Sequence, residues 1–293
     1  MKTLLSISLL LAGAASAQAS PATPPSLLEQ LVAASRDVRY QPPSQQEFEQ
    51  AQAVFYRLLT QPASVSDQAL ARLGFALRSL DATDEHLLII EDKRRRGGGF
   101  YVLRQEDKPR HALLLEAPHS FYDRGTRQLA VQWLCQRGVV AAAWNTAPRH
   151  QLPDDQADLA HQDVSFFQAF TLAFARAYPH GGIVQLHGFS QFKRHTEAGW
   201  HADAIISNGT AKPSQIVWRI DRCLDDVLAG GSKLYPDEVR ELGATTNRNA
   251  RALRTFGFSG FVHLEMSREL RRKLLQVRYL RNQVLQCVRE GWA

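Results

Sequence analysis

Long apolar runs, cysteine and the signatures of several large function classes are all scarce in this chain. No stretch reaches the ~20 consecutive apolar residues that a membrane-spanning helix needs, so no integral membrane segment is expected. The three cysteines, Cys135, Cys223 and Cys287, are too few and too widely spaced for a disulfide framework or a Cys-rich zinc site. At most one bridge can form, with one thiol left over. Because all three lie among apolar residues on predicted helices, they read more simply as small buried hydrophobes. Neither Ser120 nor Ser190 sits in a G-x-S-x-G elbow, which argues against a serine hydrolase. The glycine-rich stretch Asp92 to Gly99 lacks the Walker pattern and a following helix, so it reads as a solvated basic hairpin turn rather than a phosphate loop.

Charge excludes a further class. The formal net charge is +6, but Arg268 to Ala293 alone carries seven Lys or Arg against two acids, and Lys2 supplies another positive charge. Everything between balances. Leu270, Leu274, Val277, Leu280, Val284 and Val288 form the apolar stripe of one predicted C-terminal helix, whose arginines then read as its solvated face. No recognition helix, finger or aromatic RNA-binding signature accompanies the charge, so no nucleic acid partner is expected. An acidic polymer or an anionic envelope surface is the partner that such a helix would suit.

What is present begins with an export signal. Lys2, the apolar run Leu4 to Leu11 and Ala15-Ser16-Ala17 form a secretory signal peptide over residues 1–19, and no cysteine follows to carry a lipid. The mature protein is expected to be exported, periplasmic or secreted. Residues 20–25 read as a linker, and 20–80 as an N-terminal helical section. Ser26 to Glu29 and Ser44 to Glu47 fit capping boxes there, and a further helix starts near Ser64.

From residue 81 the texture changes to alternating strands and helices, which predicts an α/β fold with a mixed, largely parallel sheet flanked by helices. His86 to Glu91 and Phe100 to Arg104 form a hairpin. A strand through Ala112 to Glu116, a helix from Thr126 and a strand Val139 to Trp144 form a β-α-β unit with a right-handed crossover. A helix from Asp163 to Ala177 carries Phe166, Phe167, Phe170 and Phe174 at core spacing. Strands at Gly182 to Leu186, Ala202 to Ser207 and Gly260 to Leu264 follow, with a helix from Pro213 to Leu228 among them.

Three of these strands end in His119, His187 and Glu265. Side chains just past the carboxyl ends of strands are where α/β sites are usually built. A catalytic zinc takes three N or O ligands and leaves a position open. His119, Asp123 and His187 supply such a set, and Glu265 a general base for zinc-activated water. His161, in Asp158-Leu159-Ala160-His161, and Arg194, in the stretch after His187, are candidates for substrate contact. Asn247, Arg248 and Arg251 form a polar stretch whose guanidinium groups could pair a substrate carboxylate. His263, two residues before Glu265, shares its strand face.

These segments resemble a known group. Ala117-Pro118-His119 through Gly125-Thr126 is similar to the first metal segment of the poly-γ-glutamate hydrolases, which carry A-P-H followed by Glu-x-Gly-Thr on a carboxypeptidase-like fold. Leu186-His187-Gly188-Phe189-Ser190-Gln191 resembles the His-Ser-x-Ser-Gln segment of zinc carboxypeptidases. Phe261 to Arg268 resembles the closing strand with its general-base Glu, and also the Leu-Glu-Ile-Asn-Arg segment of N-formylglutamate amidohydrolases. The resemblance implies that residues 81–293 are a carboxypeptidase-like metallohydrolase domain binding zinc and cleaving a peptide-like or glutamyl amide bond. Where zinc carboxypeptidases have His-x-x-Glu, this chain has His119-x-x-x-Asp123, with Glu116 as the fallback carboxylate. The family's Asn-Arg pair precedes the second His segment, whereas Asn247-Arg248 follows it, so that role is not carried over. Two alternatives stay open: an N-formylglutamate-type or cell-wall amidase on the same fold, and a non-catalytic envelope protein that holds an anionic polymer.

Overall fold

A computed structural model describes residues 31, 39–82, 85–105, 109 and 111–293. The expected signal peptide, linker and capping box at Ser26 lie outside the described residues. The second capping box forms: Ser44 caps helix α1 (Gln45–Thr60), accepting from Glu47 N while Glu47 accepts from Ser44 N. Helix α2 (Asp67–Leu73) follows, capped by Ser66 and ended by Gly74 at φ +85°, a left-handed turn that glycine adopts without strain. The chain leaves that turn as strand β1 (Phe75–Ala82), so the helical section stops at Leu73, short of residue 80.

The strands are β1, β2 (Glu85–Asp92), β3 (Phe100–Arg104), β4 (Leu113–Ala117), β5 (Val139–Trp144), β6 (Gly182–Phe189), β7 (Ala204–Ser207), β8 (Ser232–Leu234) and β9 (Phe261–Ser267). They form one sheet in the order β1-β2-β3-β5-β4-β6-β9-β7-β8. The central block β5-β4-β6-β9 is parallel, as is β7-β8. The β1-β2-β3 meander and the β7–β9 contact are antiparallel, so the sheet is mixed. Helix α3 (Thr126–Leu134) makes the expected crossover between β4 and β5. The other helices are α4 (Phe166–Ala177), α5 (Glu197–His201), α6 (Gln215–Val227), α7 (Arg248–Thr255), α8 (Arg268–Gln276) and α9 (Arg278–Glu290).

Period-2 alternation divides the sheet into two faces. Leu113, Leu115, Val184, Leu186, Val262 and Leu264 enter one core, with α3, α6, α8 and α9 above it. The opposite face takes Leu114, Ile183 and Phe261, covered by α1, α2, α4 and α7, with the four α4 phenylalanines in its core. The same alternation puts Glu116, Gln185, His187, His263 and Glu265 on this second face. One face therefore carries a buried polar stripe across three adjacent strands.

Three sequence expectations are corrected. The predicted C-terminal helix is two helices, broken at Val277, whose backbone is extended and which is 46% exposed. Cys223 and Cys287 form a disulfide between α6 and α9 rather than packing as separate small hydrophobes. The Asp92 to Gly99 segment is a solvated turn only in its basic half: Lys93 to Arg95 are exposed, whereas Gly97 to Gly99 are buried. Asp92 Oδ2 accepts from Arg96 N and Gly98 N, and Arg96 pairs with Glu47 at 2.9 Å and lies over the Phe166 ring. No helix of the described residues is long and apolar enough to cross a membrane.

Candidate metal centre

The site begins where β4 stops. Pro118 turns the chain out of the strand, and Asn145, just past β5, accepts from both Ser120 N (2.8 Å) and Ser120 Oγ (2.7 Å), pinning the next loop. Within that loop Asp123 N donates to His119 O at 2.9 Å, so residues 119 to 123 make a single helical turn. A turn of that kind brings residues i and i+4 to one side. The four-residue spacing therefore delivers Asp123 beside His119: Asp123 Oδ2 lies 3.7 Å from His119 Nδ1 and 3.4 Å from His187 Nδ1. Donors held about 2.0–2.1 Å from a tetrahedral zinc lie roughly 3.3 Å apart, so these three buried groups fit that ion in chemistry and in spacing.

His187 and Glu265 do not end their strands. Strand β6 runs on to Phe189 and β9 to Ser267, and His187 is the parallel cross-strand partner of Glu265. His263 completes this group, its ring centroid 4.5 Å from that of His187 and its Nε2 3.7 Å from Glu265 Oε1. Burial pushes the Glu265 carboxyl up to about 7; the nearby His187 works against the rise and the negative Asp123 adds to it. Glu265 Oε2 and His263 Nδ1 are buried without a hydrogen-bond partner. Burial also holds His263 well below the ordinary histidine range, with His187 adding to the shift, so its ring is neutral at pH 7.

Each candidate histidine ligand is oriented from behind. His119 Nε2 lies 2.7 Å from Asp158 Oδ1, and Arg149 Nη1 lies 3.2 Å from His119 Nδ1. Together these contacts set the tautomer: Nε2–H donates to Asp158, and the Nδ1 lone pair accepts from Arg149, which would have to release it for an ion to bind there. Burial lowers the His119 pKa despite the Asp158 contact, whereas for His187 the hydrogen bond with Asp123 and the charge of Glu265 outweigh burial and raise it. His187 Nε2 faces Gln185 Oε1 at 3.5 Å, and that oxygen accepts from Asn247 Nδ2 at 2.8 Å. Gln185 Nε2 in turn donates to Glu116 and to Asn249.

Glu116 is therefore not a ligand. It is fully buried, accepts from Thr171 Oγ1 and Gln185 Nε2, and is pushed up to about 7 by burial. His161 stands at the rim, its Nδ1 3.1 Å from Asp158 Oδ2, so it shares that carboxylate with His119. Arg194 lines the cleft and pairs with Glu241 at 3.4 Å. Arg248 and Arg251 do not join the site: both pair with exposed Asp163, at 2.9 and 3.0 Å. Asn247 is occupied as the α7 cap and as the donor to Gln185.

Sequence reasoning missed Asp158, Arg149, Gln185 and Arg271. Asp158 alone left a signal, one helical turn before His161. Arg271, read as part of a solvated face, is 7% exposed and lies among the charges of Asp123 and Glu265. The cleft measures about 680 Å³ and its mouth is basic. Lys193 and Arg268 line it without an ion-pair partner among the described residues.

Neither a protein-family model nor a curated protein matches the sequence. Among solved structures, a candidate carboxypeptidase from Burkholderia mallei is 11% identical, with 85% of this chain and 69% of that one covered, at a TM-score of 0.39. A mutant of tomato leucine aminopeptidase is 10% identical at a TM-score of 0.25. That match covers 75% of this chain and 56% of the aminopeptidase, so the chain spans just over half its length. Likenesses this distant carry no weight for function, which rests on the side chains of the cleft.

Proposed function

We propose that this protein is an exported, zinc-dependent hydrolase of a peptide-like or glutamyl amide bond. The observation that carries the reading is the convergence of His119 Nδ1, Asp123 Oδ2 and His187 Nδ1, with Glu265 on the adjacent strand. His119, Asp123 and His187 would hold the ion. Zinc bound there supplies Lewis acidity and brings the pKa of water to ~7.

The remaining work falls to the protein. Glu265 takes the proton of the attacking water on a carboxylate oxygen and gives it to the departing amine. Asp158 keeps His119 in the tautomer with an unprotonated Nδ1. The Cys223–Cys287 disulfide supports export, because such bridges persist in oxidising compartments.

The test pairs a substrate panel with one conservative variant. Hydrolysis of a glutamyl amide, an N-formylglutamate or a cell-wall peptide by the wild type, lost in Glu265→Gln with metal retained, supports the reading and selects among the amidase alternatives. Full turnover in Glu265→Gln contradicts it. Lys193 and Arg268, unpaired among the described residues, favour one second reading, a non-catalytic binder of an anionic polymer. Salt-sensitive polymer binding that survives Glu265→Gln, with no hydrolysis by the wild type, would select it.

A further inference from the structure

Arg271 buries a guanidinium beside the candidate site, behind the strands that carry His187 and Glu265, which is costly unless its donors are used. Its Nε donates to Arg124 O at 2.9 Å, and its Nη1 donates to Met266 O. The guanidinium also lies over Gly188, where an added Cβ would overlap Nη1, Cζ and Nε. Each residue it meets directly follows a site residue. Arg124 follows Asp123, Gly188 follows His187 and Met266 follows Glu265. One side chain from α8 thus touches the ligand loop, β6 and β9 at the points where they present their functional groups.

We propose that Arg271 is a positioning residue, a clamp that fixes the Asp123 loop against the strands of His187 and Glu265, and that residue 188 is glycine to admit it. The proposal rests on the metallohydrolase reading for its functional consequence. The clamp itself is a matter of geometry. It requires the planar fork of arginine: two carbonyls on different segments are reached by nitrogens held rigidly in one group, which a single ammonium cannot reproduce. A packing role for α8 alone would need only the aliphatic stem.

Cobalt(II) is the probe, added to the full-length mature protein and to Arg271→Met, Arg271→Lys and Gly188→Ala, with Arg272→Met as control. Arg272 is exposed on the same helix and pairs with Glu269. Gly188→Ala displaces the guanidinium without removing it, and Arg271→Lys keeps the charge. The clamp predicts cobalt affinity about tenfold weaker or worse in all three site variants, the range seen when groups orienting a ligand are lost. Their visible bands at saturation should shift, and kcat should fall with KM little changed. The control should match the wild type. Wild-type affinity and bands in Arg271→Met and Gly188→Ala would overturn the clamp.

A wild type that binds no cobalt would overturn the metal reading instead. Amide hydrogen exchange over residues 119–125 then decides the clamp without a metal. Faster exchange in Arg271→Met and Gly188→Ala than in Arg272→Met supports it, and equal exchange overturns it.

Discussion

His187 and Glu265 are cross-strand partners in parallel strands, side by side on one face of the sheet. The separation between the proposed metal ligand and the proposed base is therefore set by strand pairing. Glu265→Asp keeps the charge and withdraws the carboxylate by one methylene. Displacements of about 1 Å cost on the order of 10²-fold in rate. Steady-state kinetics should show a loss of that size in kcat with zinc content unchanged, and wild-type kcat would contradict the role.

Asp158 acts through His119. Asp158→Asn still accepts a hydrogen bond from His119 Nε2 but removes the negative charge behind the ring. Zinc affinity, measured by competition with a chromophoric chelator, should weaken ~10–100-fold, the usual cost of losing such a partner. Unchanged affinity would show that Asp123 and His187 dominate binding.

Glu116 predicts a pH dependence of stability. Its folded-state carboxyl is pushed up to about 7 from an ordinary 4.5, so between those values the folded state holds more protons than the unfolded state. Stability contributed by this group is greatest below pH 4.5 and is lost as pH rises to 7, by an amount of order 3 kcal/mol. Glu116→Gln has the same shape and no charge to bury. Urea unfolding at pH 5 and pH 8 should show the variant gaining on the wild type at the higher pH. An equal difference at both would contradict the assignment.

The disulfide joins residues 64 positions apart. Cross-linking a loop of that length removes unfolded-state entropy worth about 4 kcal/mol in the chain-entropy model. Cys223→Ser with Cys287→Ser should lower the unfolding midpoint accordingly while leaving zinc affinity unchanged, since α6 and α9 lie on the sheet face opposite the site. A loss of metal without a loss of stability would contradict this.

Local chemistry was the legible part. Ser44 and Glu47 announced a helix start, and the phenylalanines of α4 announced a core face. Leu113 to Ala117 and Val139 to Trp144 announced buried strands joined by a helix. His119, Asp123, His187 and Glu265 stood out because they follow or interrupt apolar runs. What could not be read was what depends on partners distant in sequence. Strands β6 and β9 continue past His187 and Glu265 because each pairs with the other, although Gly188 gives no strand signal of its own. Asp158 meets His119 from 39 residues away. Arg271 points inward from a helix whose charge pattern reads as solvated, because the absent Cβ of Gly188 leaves it room. The break at Val277 carries neither proline nor glycine, and Leu270, Leu274, Val284 and Val288 keep helical spacing across it.

The central claim is a metal site built from three residues, and metal content tests it most directly. Elemental mass spectrometry of the purified mature protein should find about one zinc per chain, absent from a His119→Ala, His187→Ala double variant of unchanged fold. No stoichiometric metal after reconstitution, or the same content in the double variant, would contradict the account.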